Sequence, residues 1–422
     1  MTSANQRHSE RPPLNETPRE SVPGILNRVN IIKSALLVPC LAAVWGLALY
    51  SGFSSEMAWM LFLVSLGLAL EAFPETLFAD FRFRGEQRIE ARIKIASSLI
   101  GFGYGIVAAL TGLPPVLISL FKVVSSAVRI VGAGWIYLKR YSAHLFAVSD
   151  WRNVWAVFRS ATVFALIDIL ANIYTRTNVL FLEGATGVKG VAYYSATWIL
   201  VDSVSWFTVE QLVGWVIFPV LAKLWLFQSG HFRLLIRQTA QWLTAIALPL
   251  MFLLGAESGS IIGSIYPADY APAIWMQKLL VWTIPLTFVH YLCAYVMMVM
   301  GSARLLLTFS AAAMAVNLVL GITLVPSLGL AGGCLMIILT KLVMAALTFT
   351  YCQARLKLFR LTDLLYPAGP GCLCLGLFAL LQPYAGLHVA VVVSLALYSG
   401  ILWGTGVKVI GRFPTREEFA DL

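Results

Sequence analysis

Charged side chains set inside long apolar stretches are the main chemistry this sequence offers. Lys122, Ser125, Ser126 and Arg129 recur at i, i+3, i+4 and i+7, which puts them on one face of a helix. Asp168, Asn172, Thr175 and Arg176 repeat a similar spacing, and Asp202, Ser205 and Glu210 mark a third stripe. Each such charge costs roughly 2.5 to 3.5 kcal/mol to insert into a bilayer, so a face carrying several lines a wet cavity or pairs internally. Lys122, Arg129 and Arg176 are candidates to receive an anionic group, Arg through its planar fork and Lys as a point charge. The structural alternative is that Asp168 or Asp202 pairs with Arg176 or Arg129 as ion-pair glue between helices. Residue types and spacing leave both readings open.

Glu71 and Glu75 stand one turn apart beside Pro74. Paired carboxylates raise one another's pKa, so the pair suits a proton or sodium relay. The plainer reading is a carboxylate pair near a span end that reaches water or the basic cluster from Arg82 to Arg92. Lys278 is expected to snorkel to the interface. Lys341 and His290 lie deeper and read as helix-contact residues. Cys40, Cys293, Cys334, Cys352, Cys372 and Cys374 fall in or at the ends of spans, as small hydrophobes do, and the five His show no ligand spacing. No metal or cofactor is expected.

The elements that must position these residues are set by composition. With 59% hydrophobic and 12% charged residues, the chain belongs in lipid. Segments long enough to cross a bilayer lie at about 31–50, 57–79, 95–113, 115–138, 157–182, 191–221, 239–256, 274–300, 305–325, 330–351, 364–381 and 389–409. The sequence therefore predicts an all-α polytopic protein of about twelve spans in two bundles, over 31–150 and 151–410. Residues 1–30 read as a disordered tail and 411–422 as a second tail. Lys and Arg crowd the connections after every second span, Lys189 being the exception, so both termini are expected in the cytoplasm. The net charge of +10 then reflects topology, and no nucleic-acid partner is needed to explain it.

No phosphate-binding Gly-x-x-x-x-Gly-Lys-Ser/Thr loop occurs, and no connection has room for a nucleotide-binding domain, which excludes a self-contained ATP-driven pump. Outward loops of roughly ten residues also argue against a membrane glycosyltransferase or polymerase. A secondary carrier with its site at mid-membrane, rather than an enzyme, is the expected class.

Several short motifs, in order, carry a resemblance. RFRGEQR (82–88) precedes a Gly-rich span. GVKGVAYYSATW (187–198) and IFPVLAKL (217–224) follow, then IYPADYAPA (265–273) and NLVLGITLVPSLGLAGG (317–333). From about residue 80 to 360 the chain resembles the oligosaccharide flippase branch of the multidrug/oligosaccharidyl-lipid/polysaccharide exporter superfamily. The resemblance implies a multi-pass protein of the bacterial inner membrane. It would move an undecaprenyl-diphosphate-linked oligosaccharide to the outer leaflet by alternating access, for lipopolysaccharide or exopolysaccharide assembly, alongside other polysaccharide assembly proteins. The stripes suit such cargo, with cations for a diphosphate, a polar cavity for sugars and lipid around the tail. In the family, the segment matching Val157–Leu221 follows six helices. Here it follows four, so a leading pair is expected to be missing and the first bundle open on one side. The alternatives are a multidrug/cation antiporter of the same superfamily, a glycosyltransferase or polymerase, and a non-transporting scaffold of a polysaccharide assembly complex.

Overall fold

The computed structural model describes residues 22–141, 151–227, 229–357 and 361–406. The described residues are helical with short connections, and the chain divides into two units between Thr162 and Val163. Most of the expected first tail, and all of the second, lie outside the described residues.

The first unit opens with α1 (Val22–Tyr50), which begins earlier than the sequence suggested. Pro23 sits in its first turn, where a missing N–H costs little, and the buried Leu26 and Asn27 already belong to the packed helix. Next come α2 (Ser55–Phe83) and α3 (Gln87–Leu110), a short turn of helix at Pro115–Ile118, and α4 (Phe121–Tyr141). α4 packs against both α2 and α3, and α1 packs on α2. Lipid gives apolar side chains no drive to associate, so close approach depends on small residues. A Cβ on Gly67 would lie 2.6 Å from Lys122 Cγ, and one on Gly101 2.6 Å from Ser125 Cβ. These two glycines let α2 and α3 close on either side of the polar face of α4. Ser126 Oγ then donates to the Gly67 carbonyl at 2.7 Å.

The next helix, α5 (Trp151–Val209), starts in the last residues of the first unit, runs into the second and is broken at Gly187, where φ is +70° and ψ is −176°. The apolar stretch Val154–Ala222 has 69 residues. An unbroken helix of that length would measure about 100 Å, against about 30 Å of hydrocarbon. It doubles back instead. Asn178 Nδ2 donates to Tyr194 Oη at 2.8 Å, a contact that only two antiparallel limbs can make. Beyond Val209 the chain widens into a π-helical segment, Glu210–Ile217, ahead of Pro219 in α6 (Phe218–Phe227). Proline cannot donate to the carbonyl a turn back, and the wider turn absorbs the misfit.

The remaining helices are α7 (Ser229–Ala256), α8 (Ser258–Ile265), α9 (Ala273–Leu280), α10 (Thr283–Val299), α11 (Ala303–Leu328), α12 (Leu330–Leu356), α13 (Leu361–Ala385) and α14 (Leu387–Gly406). The α11–α12 hairpin turns on Gly329 at φ +56°, and a Cβ on Gly332 would fall 2.2 Å from the Leu324 carbonyl oxygen. The expected span at 274–300 is one stretch, Ala273–Val299, built of two helices: Pro285 cannot donate to the Val281 carbonyl, which accepts from Ile284 N at 3.1 Å in the turn between α9 and α10.

Among the described residues, nine helical stretches are long and apolar enough to cross a membrane, and Gly369–Ala385 and Leu387–Leu402 are shorter apolar helices. Taking the stretch that doubles back at Gly187 as two, these make twelve apolar segments, four of them before Val154. The protein is a multi-pass membrane protein.

Candidate functional site

A cavity of about 570 Å³ lies inside the second unit, walled by both limbs of α5 and by α10, α11 and α12. Its polar lining follows from helical spacing. Asp168, Ala171, Asn172 and Thr175 share one face of the first limb, and Asp202 and Trp206 stand one turn apart on the second. α10 presents Thr287, His290, Tyr291, Ala294 and Met298, again a single face, with Tyr295 beside it. Lys341 of α12 reaches in from the opposite wall.

Lys341 is the electrostatic centre of this cavity. Its side chain is 9% exposed, and Nζ lies 3.1 Å from Asp202 Oδ1 and 2.9 Å from Thr287 Oγ1. The Thr287 hydroxyl donates back to the Thr283 carbonyl at 2.7 Å, which leaves its oxygen lone pairs to accept from the ammonium. The indole of Trp198 covers the same ammonium at 4.8 Å from the ring centroid. His290 Nδ1 stands 3.4 Å from Thr348 Oγ1, whose hydroxyl donates to the Met344 carbonyl. That network favours the tautomer with hydrogen on Nδ1 and leaves Nε2 as an acceptor. Aromatic faces, hydroxyls, an amide and a carboxylate–ammonium pair in one cavity can hold a polyhydroxylated molecule by stacking and hydrogen bonding together.

A buried polar node supports the cavity wall. Asn317 Nδ2 lies 3.0 Å from Thr340 Oγ1 and 3.4 Å from Asn178 Oδ1, tying α11, α12 and the first limb of α5 together. Thr340 directly precedes Lys341, so this node fixes the stretch of α12 that carries the ammonium.

The other sequence candidates lie elsewhere. In the first unit, Glu71 Oε1 accepts from both Lys122 Nζ at 2.7 Å and Arg129 Nη1 at 2.9 Å. Arg129 also donates to Ser97 Oγ at 2.9 Å and Ser98 Oγ at 3.2 Å. One carboxylate thus faces two cations, and the group carries excess positive charge. Glu75 bonds Arg82 and Lys94, each at 2.7 Å, and Glu90 bonds the same two cations at 2.8 Å, a balanced cluster. Lys33 of α1 adds a donor to Thr76 Oγ1 and the Ala72 carbonyl, a contact the sequence reading did not single out.

Among the second-unit candidates, Asp168 and Asp202 line the cavity, whereas Arg176 is exposed and does not. Glu210 falls in the π-helical segment, with its side chain outside the described residues. The structural alternative, Asp202 paired with Arg176 or Arg129, takes other partners here. Asp202 takes Lys341, and Arg129 takes Glu71. Lys341 and His290, read from the sequence as helix contacts, are cavity residues. Their signal was their depth in otherwise apolar helices, and what hid the partner was separation, 139 residues between Asp202 and Lys341.

Comparison with known proteins follows the same lines. Residues 28–275, more than half the chain, match a family model described as "Polysaccharide biosynthesis protein". No curated protein matches the sequence. The fold is similar to that of a multidrug resistance MATE family transporter of the MOP superfamily in its outward-facing conformation (TM-score 0.65, 15% identity, 80% of this chain and 82% of that one). It is similar to a MOP superfamily transporter from Pyrococcus furiosus Vc1, described for the reverse polarity of its binding pocket (TM-score 0.67, 15% identity, 80% and 78%). It is also similar to the lipid II flippase MurJ in an inward closed conformation (TM-score 0.61, 11% identity, 92% and 85%). At these identities the likeness is one of fold, and the fold is that of membrane transporters.

Proposed function

We propose that this chain, which belongs to the polysaccharide biosynthesis protein family, is a flippase that carries a lipid-linked oligosaccharide across the bacterial inner membrane by alternating access. The observation that carries the reading is the polar, aromatic-walled cavity of about 570 Å³ with Lys341 and Asp202 paired in its wall. The glycan occupies that cavity, with Tyr291, Tyr295 and Trp206 as stacking faces and Asp168, Asn172 and His290 as hydrogen-bonding groups. Lys122 and Arg129 of the first unit, whose charge Glu71 only half offsets, and Arg176 of the second are the candidates to receive an anionic group. The isoprenoid tail stays in lipid. Asp168, Asp202, Glu71, Glu75 and Glu210 are the acidic candidates for coupling or for structural pairing.

A multidrug/cation antiporter is the second reading, and one observation favours it: the cavity wall holds two carboxylates, Asp168 and Asp202, against one amine. Export separates the two. In cells that make a surface polysaccharide, Arg129→Ala and Lys341→Met are expected to abolish export while the protein stays inserted, and Arg129→Lys to restore it in part. Normal export in both variants, or resistance to cationic drugs that falls in the same variants, would favour the antiporter.

A further inference from the structure

At the junction of α7 and α8 the helix kinks at Glu257, and three buried oxygens gather around the kink. Glu257 is 7% exposed, Ser258 and Gln277 are fully buried, and Glu257 Oε2, Ser258 Oγ and Gln277 Oε1 have no hydrogen-bond partner among the described residues. The orientation of the amide is fixed, because Gln277 Nε2 donates to the Leu254 carbonyl at 2.8 Å, one turn before Glu257. The amide oxygen is thereby held ready for a ligand. The other carboxylate oxygen is engaged: His388 Nδ1, on a ring that stands largely in the open, lies 2.9 Å from Glu257 Oε1.

Carboxylate and amide oxygens are acceptors only, so Glu257 and Gln277 cannot satisfy one another. Leaving such atoms buried and bare costs about 1–3 kcal/mol each, more for a charge. A small group that brings hydrogens or positive charge can satisfy both, and a cation also offsets the buried carboxylate charge. Broken helices whose ends and freed oxygens hold small cations are a recurring device in carriers.

We propose that the α7–α8 kink is a binding site for a small, hard monovalent cation, liganded by the Glu257 carboxylate, the Gln277 amide oxygen and the Ser258 hydroxyl. His388 closes the site on its solvent side and steadies the carboxylate through its second oxygen. None of these residues belongs to the cavity that holds Lys341, and the site stands whether or not the cargo is a lipid-linked glycan.

The test is thermal unfolding of the full chain in detergent, with sodium chloride titrated against choline chloride at constant ionic strength. Sodium is expected to raise the midpoint saturably, by about 3 °C or more, and choline to leave it unchanged. Glu257→Gln should remove the sodium response. Ser258→Ala, a milder change that keeps the carboxylate, should shift the half-saturating concentration upward by about tenfold, as expected for one lost ligand. A midpoint indifferent to sodium in the unsubstituted protein overturns the proposal, as does an equal sodium response in Glu257→Gln. A midpoint that follows pH and ignores sodium also overturns it, and makes the kink a proton site.

Discussion

Lys341 shows how little a single residue type reveals before its neighbours are known. A lone lysine in a 27-residue apolar helix signals that something compensates it, but nothing nearby in the sequence says what. The partners, Asp202 and Thr287, come from two other helices. Removing one member of a buried pair strands the other, at a cost of about 3–5 kcal/mol, whereas removing both is often neutral. Because the Asp202 side chain is 36% exposed, the lower end of that range applies. Asp202→Ala is therefore expected to lower the thermal midpoint in detergent, and the pair Asp202→Asn with Lys341→Met to recover it while export stays lost. Recovery of export along with stability would reduce the pair to a structural role. Glu71 invites a parallel experiment in the first unit. Glu71→Gln leaves Lys122 and Arg129 facing each other without a counter-charge, so folded yield by size-exclusion chromatography should fall, and Lys122→Met in that background should restore it. The stripe of α4 was legible in the sequence as one face. Its partner was not, since Glu71 lies 51 residues away on another helix.

At the scale of elements, the turns were more legible than the cavity. Glycine and proline act locally, and the structure turns, widens or ends a helix beside Gly187, Pro219, Pro267 and Gly329, whereas Pro326 lies inside the last turns of α11. Tyr266 and Tyr270 flank the Pro267 turn and stack on each other at 4.9 Å, which gives the IYPADYAPA motif a packing role. The face of α10 was invisible by comparison. His290 and Tyr291 belong to a helix apolar enough to read as lipid-facing or core, and only the packing of α5 and α12 makes that face a cavity wall. Small residues carry the contacts here. With a Cβ 2.2 Å from the Leu324 carbonyl, Gly332→Ala must push apart two backbones, at a cost of about 1–3 kcal/mol. It should lower the thermal midpoint clearly. Gly404→Ala, where nothing lies within 4 Å, should not. Equal effects at the two positions would refute the close α11–α12 approach.

For the molecule as a whole, composition and charge alternation carried the class, and the family match together with the transporter fold agree with it. The alternation also predicts an orientation. Reporter fusions after Glu56, Thr186 and Tyr384 should read as outside, with both termini inside, and a cytoplasmic signal at Thr186 would overturn that topology. Reconstitution shows whether the carrier moves a lipid-linked glycan by way of the Lys341 cavity. The purified full chain is placed in liposomes containing an undecaprenyl-diphosphate oligosaccharide with a fluorescent sugar, and an impermeant quencher added outside reports how much label crosses the bilayer. Protein-dependent transfer is expected, falling about tenfold or more in the stable Asp202→Asn, Lys341→Met variant. Transfer that is absent with the unsubstituted protein, or unchanged in that variant, would contradict it.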